Sequence, residues 1–154
     1  MLHQYLPRII SYQNKLECLL NAPSIRYSEW PTIDKKDLRS AAGIYHFFEV
    51  AEGCLRSVYV GRAGFGRQSE KQTWSLYSRL SQHFLPSQKN TLLGKASKKM
   101  DLPSNECKSM FLQSNLQVQW LALHETCPRR DLNSELFGFE YFAISVLRPE
   151  YTDG

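Results

Sequence analysis

The stretch GIYHFFEVAEGCLRSVYVGRA, Gly43 to Ala63, constrains this chain most. Two runs rich in aromatic and β-branched residues, Ile44 to Val50 and Ser57 to Val60, flank the turn residues Ala51-Glu52-Gly53. Together they predict a β-hairpin. The turn has its glycine in Gly53, so Gly43 and Gly61, each adjoining a tyrosine triplet at the outer ends, need another reason. A strand glycine often marks close approach by a backbone or a ligand. If the strands pair about Glu52 and Gly53, residues whose numbers sum to about 104 face one another, which sets Tyr45 opposite Tyr59. Such a pair either fills a core or borders a site, and a slip of one residue would separate it.

Around the hairpin the chain alternates helical and strand patterns. Leu6, Ile9, Ile10, Leu16, Leu19 and Leu20 recur at helical spacing within residues 2–20, and Asn21-Ala22-Pro23-Ser24 ends that helix. A loose stretch through Trp30-Pro31 and Lys35-Lys36 leads into the hairpin. A second helix is expected from about Thr73 to Phe84, with Leu76, Tyr77, Leu80 and Phe84 as its apolar stripe. Pro86 to Lys108 is polar and basic, expected as short helices and loops laid over the core. Leu116, Val118, Trp120 and Ala122 alternate with Gln117, Gln119 and Leu121, which predicts a third strand. Asp131 can cap a last helix running to about Leu147, before Pro149. This order predicts an α+β domain on a small mixed or antiparallel three-stranded sheet, with an N-terminal helix and lead-in over residues 1–41 and the main unit over 42–154.

Composition limits the partners. At 154 residues the chain can bury a core without staples, and no apolar run is long enough to span a bilayer. The first residues lack the layout of a secretory signal, so a cytoplasmic protein is expected. Cys18, Cys54, Cys107 and Cys127 are scattered without metal-ligand spacing, and reduced, mostly buried thiols are expected. A net charge of +4 mildly favours a polyanionic partner.

Three features carry chemistry. Arg79 and His83 lie four apart in LYSRLSQHF and share one flank of their helix. They are either two solvated residues or a half-sheltered pair serving an anion or a neutral imidazole. Glu140 stands within the apolar positions Leu136, Phe139, Ala143, Ile144 and Leu147 of the last helix. A carboxylate there needs a partner: an ion pair, with Arg79 the obvious candidate, or a hard cation. Finally, Lys89, Lys95, Lys98 and Lys99 cluster after the second helix, as a solvated segment or a phosphate-contacting surface.

In order, Gly43-Ile44-Tyr45, Tyr59-Val60-Gly61, Arg79, His83 and Glu140 resemble the GIY-YIG nuclease superfamily. YVGRA is similar to the YVGKA of its repair nucleases, LYSRLSQHF to their arginine-bearing helix, and EYFAISVLRPEY to the family's closing glutamate, proline and tyrosine. The resemblance spans about Ala42 to Tyr151. It implies a DNA endonuclease in which Glu140 holds one divalent cation, Mg²⁺ or Mn²⁺. Tyr45 would act on the attacking water and Tyr59 would support the scissile phosphate. Arg79 would bind that phosphate, His83 would assist proton transfer or phosphate binding, and Arg62 replaces the family's lysine. Gly43 and Gly61 would let the DNA backbone approach. Thr152-Asp153 stands where many members place an asparagine. A nucleic-acid-binding module with little catalysis is the alternative, and the apolar N-terminal helix is a candidate homodimer interface.

Overall fold

The computed structural model of the chain describes residues 2–64, 75–125, 127 and 129–152. Its elements are α1 (Leu6–Asn21), β1 (Ile25–Arg26), β2 (Gly43–Ala51), β3 (Cys54–Ala63), α2 (Leu76–Gln82), α3 (Leu92–Met100), α4 (Ser104–Gln113), β4 (Gln117–Ala122) and α5 (Arg129–Leu147). Short 3-10 turns occupy Leu2–Gln4, Tyr27–Thr32 and Lys36–Leu38. The α+β class is as expected. The sheet has four strands and not three, ordered β1-β4-β2-β3, with every strand pair antiparallel. The added strand, β1, has two residues, too few to show a period.

The hairpin turns on Glu52 and Gly53, both at positive φ (54° and 78°), as a two-residue turn of the primed kind requires. The expected facing of Tyr45 and Tyr59 is corrected. The register shifts at Val58, so Tyr45 faces Gly61 and Tyr59 faces Phe47. Both tyrosines stay on one face, with rings 6.2 Å apart and 18° from parallel.

Strand alternation sorts the side chains into two cores. Tyr45, Phe47, Tyr59 and Val118 pack with Leu76, Leu80, Leu92, Leu93 and Phe111 on one face. Ile44 and Val60 pack with Leu16, Leu19, Leu136 and Phe139 of α1 and α5 on the other. The segment from Pro86 to Lys108 is therefore not laid over a finished core: its Leu92, Leu93, Ala96 and Cys107 are fully buried parts of one.

Because α1 covers the second face, Gln119 is buried there. Its amide nitrogen donates to Leu20 O (3.3 Å) and Ala22 O (3.1 Å), carbonyls at the end of α1. Its oxygen then meets His46 Nδ1 at 2.9 Å, and His46 Nε2 meets Ser57 Oγ at 2.8 Å. The committed amide assigns the proton to His46 Nδ1, leaving Nε2 to accept from Ser57.

Two boundaries differ from expectation, the starts of α2 and α5, while α5 ends at Leu147 as expected. Thr73 lies outside the described residues; α2 begins at Leu76, where Ser75 Oγ accepts the Ser78 N–H at 3.0 Å. Helix α5 begins at Arg129, so Asp131 is an exposed first-turn residue and not its cap. The helix ends on Arg148, which takes a left-handed φ of 47° and donates its N–H to Ile144 O at 2.9 Å. Beyond it, Glu150 and Tyr151 donate their N–H groups to Ser57 O and Val58 O of β3, and Tyr151 lies parallel to Tyr59. Of the thiols, Cys107 is buried whereas Cys18 and Cys54 are exposed, contrary to the expectation of mostly buried ones. No helix among the described residues is long and apolar enough to cross a membrane.

Candidate functional site

His83 follows α2 as its C-cap residue, and burial of its neighbour Phe84 and of Leu80 draws its ring into the core, where it is fully buried. Its position is further fixed by Tyr27, whose hydroxyl donates to His83 O at 2.8 Å. His83 Nδ1 accepts the N–H of Leu92, the first residue of α3, at 2.9 Å. An amide N–H only donates, so the imidazole proton sits on Nε2, which donates to Tyr45 Oη at 2.8 Å. Burial, and then the charges of Arg79 and Lys95, push the imidazole pKa down to about 3. The ring is neutral at physiological pH, as one of the two readings of the Arg79/His83 pair requires. Its polarity makes His83 a donor to Tyr45. Tyr59 completes the cluster, its ring 4.9 Å from that of His83.

Both outer glycines are explained by the protein's own packing. A β-carbon on Gly61 would overlap the hydroxyl and ring of Tyr45, which lies across it. A β-carbon on Gly43 would strike the Leu121 carbonyl of the adjacent β4. Neither position needs a DNA backbone to account for it.

Arg79 lies beside the cluster, where its Nη1 donates to Gln82 Oε1 at 2.6 Å and its Nη2 to Asn90 O at 3.2 Å. Of the four lysines after α2, Lys95 is half-buried and close enough to depress His83, whereas Lys89 and Lys98 are exposed. Lys99 is held by Glu150 at 3.4 Å and lies 5.1 Å over the Tyr151 ring. The basic segment is thus divided: Lys95 acts on His83 and Lys99 on the residues after α5.

Glu140 is 5% exposed. Its expected ion-pair candidate is corrected: Oε1 accepts from Arg62 Nη1 at 2.8 Å, and that guanidinium lies 3.5 Å over the Phe137 ring. Arg79 projects from the tyrosine side, while Arg62 faces Ile44 on the other side of the sheet. Gly61 is where the two halves meet, with Tyr45 against it and Arg62 next in the chain. A buried carboxylate fits a hard cation that keeps most of its water, since such ions need as few as one or two protein carboxylates. Here cation and Arg62 would compete for one oxygen pair. Among the described residues no group of three or more His, Cys, Asp or Glu side chains converges as a ready-made metal cage.

Several contributors were not legible in the sequence. The Leu92 N–H and the Asn90 carbonyl are backbone groups, which residue types do not betray. Lys35, Lys36 and Arg39 gather with Tyr77 around a cavity of about 270 Å³; their signal was three basic residues within five positions of the loose lead-in. A second cavity, about 430 Å³ and lined by Arg8, Lys15, Cys127 and Glu135 among others, lies between α1 and α5, away from the tyrosine cluster. Tyr5, Leu6, Ile9 and Ile10, in and just before α1, are exposed.

No protein-family model, no curated protein and no solved structure matches the chain.

Proposed function

We propose that this chain is a DNA endonuclease of the GIY-YIG kind, hydrolysing phosphodiester bonds with one divalent cation, Mg²⁺ or Mn²⁺, held by Glu140. The observation that carries the reading is the buried Tyr45–His83 hydrogen bond, whose direction the Leu92 N–H fixes. A phenol that accepts from a neutral imidazole has its oxygen stabilised against growing negative charge and its own proton directed elsewhere. Tyr45 can thus hold and orient an attacking water through its own O–H, the water's proton passing to solvent. Arg79 and Lys95 supply positive charge beside it for the phosphate oxygens. The cation, when bound, would add Lewis-acid polarisation of the phosphate.

The second reading, a nucleic-acid-binding module with little catalysis, draws support from two observations. Tyr45 and Tyr59 are both 0% exposed, so reaching a phosphodiester requires covering chain to move. Glu140 is also engaged by Arg62. Incubating the protein with supercoiled plasmid in Mg²⁺, then in EDTA, separates the two. Nicked or linear product in Mg²⁺, absent in EDTA and in Tyr45→Phe, is expected; binding without product on plasmid, flap and junction substrates would leave the module. Homodimerisation through the exposed apolar face at the start of α1 belongs to the same proposal, and sedimentation equilibrium of wild type against Ile9→Glu tests it.

A further inference from the structure

We infer that the cavity bounded by Lys35, Lys36, Arg39 and Tyr77 binds backbone phosphates of a nucleic-acid strand that crosses α2 towards Arg79. The inference rests on the nucleic-acid reading above but not on catalysis. Three cations face one small cavity, together with Asp34 and Ile33. Among the described residues no carboxylate lies within ion-pair distance of Lys35, Lys36 or Arg39, and the Asp34 side chain accepts the Lys36 main-chain N–H at 3.0 Å. The cavity therefore keeps a net positive charge, which an anion would neutralise.

The cations are also held in place. The Arg39 guanidinium lies 4.3 Å over the Tyr77 ring, an arrangement that fixes its plane while leaving its N–H fork available. Lys35 Nζ donates to Ile33 O at 3.2 Å and sits 5.1 Å over the Trp30 ring. Pre-ordered cations lose less entropy on binding.

Position selects a strand over a free ion. Tyr77 and Arg79 are two residues apart on α2, so they leave it about 200° apart, on opposite flanks. Between them the outer face of α2 presents Ser78, Ser81 and Gln82, short or neutral donors without a carboxylate. Phosphates spaced along a strand can meet Arg79 and Lys95 on one flank and the cavity on the other. A free phosphate could use only one end.

The test compares wild type with Lys35→Gln/Lys36→Gln/Arg39→Gln, using a fluorescein-labelled DNA duplex and anisotropy across a salt series. These side chains are exposed or half-buried, and the variant should melt like wild type. The log–log salt slope should fall by about 2–3, one unit per lost phosphate contact. Arg39→Gln alone should lower it by about 1 and serves if the triple variant fails to fold. An unchanged slope beside normal wild-type binding would overturn this site alone. A wild type with no salt-dependent DNA binding would end the nucleic-acid reading with it. Saturable calorimetric binding of inorganic phosphate, lost in the variant while the DNA slope is unchanged, would assign the cavity to a free anion and also overturn the inference.

Discussion

The phenol of Tyr45 lies over the α-carbon of Gly61, the residue that faces it across the hairpin. This packing is what places Oη within reach of His83 Nε2. Gly61→Ala should therefore displace the ring and cost about 1–3 kcal/mol, the usual penalty of overpacking a filled core. Urea unfolding checks it. Tyr45→Leu should cost less in the Gly61→Ala background than in wild type, because the two side chains would compete for one space. Additive losses would separate the two residues.

Acid should unfold the protein partly through His83. Its folded pKa, about 3, lies below the ordinary 6.5 because burial and two nearby cations disfavour the charged ring. Between those values the unfolded chain binds more protons, so stability is present above pH 6.5 and is lost as pH falls towards 3. The loss is on the order of 3–5 kcal/mol over that window. His46, buried against Gln119 and Ser57 and also shifted downward, adds in the same direction. Melting temperature against pH should fall less steeply for His83→Gln, relative to its own value at neutral pH.

Arg62 and a divalent cation make opposite demands on Glu140. Arg62→Gln should tighten Mn²⁺ binding several-fold, measured by calorimetry, while lowering the metal-free melting temperature modestly. Arg62 is a third exposed, so stranding Glu140 costs less than the 3–5 kcal/mol typical of breaking a buried pair. Glu140→Gln should abolish metal-dependent cleavage and Mn²⁺ binding together. Unchanged Mn²⁺ affinity in both variants would move the metal elsewhere.

Arg79→Lys retains charge but loses the fork that reaches Gln82 Oε1 and Asn90 O together. Single-turnover cleavage should fall far more than DNA affinity, roughly tenfold or beyond for each 1.4 kcal/mol of lost transition-state stabilisation. Equal cleavage by the variant would make Arg79 a structural brace for the Asn90 loop.

How much of this was readable varies by element, for physical reasons. The turn declares itself through Gly53, a residue type that φ above zero calls for, whereas Glu52 takes the same sign of φ without being of that type. The register did not, because the shift at Val58 has no compositional mark and changes which residue Tyr45 meets without changing its face. Gln119 was placed on the correct side of its strand, but alternation is silent on whether a second layer covers that side; α1 does. Glu140 stood out as a carboxylate among apolar neighbours. Its partner could not be read, because the choice between Arg62 and Arg79 depends on which face of the sheet α5 covers. His83 was visible as a helix residue near Arg79, whereas its tautomer depends on a main-chain N–H nine residues later.

The run of Glu150 and Tyr151 along Ser57 and Val58 has one more consequence. β3 is the outermost strand of its sheet, and an outermost strand offers unpaired main-chain groups to any extended peptide that drifts alongside. Here two of its carbonyls are already taken, and Arg56 is pinned across the seam by Glu49 and Glu150. The segment acts as a built-in guard against strand-by-strand self-association. A chain stopped at Arg148 would lose only Tyr151 from the cores yet bare that seam, and would be driven towards aggregation from the folded state, before any global unfolding.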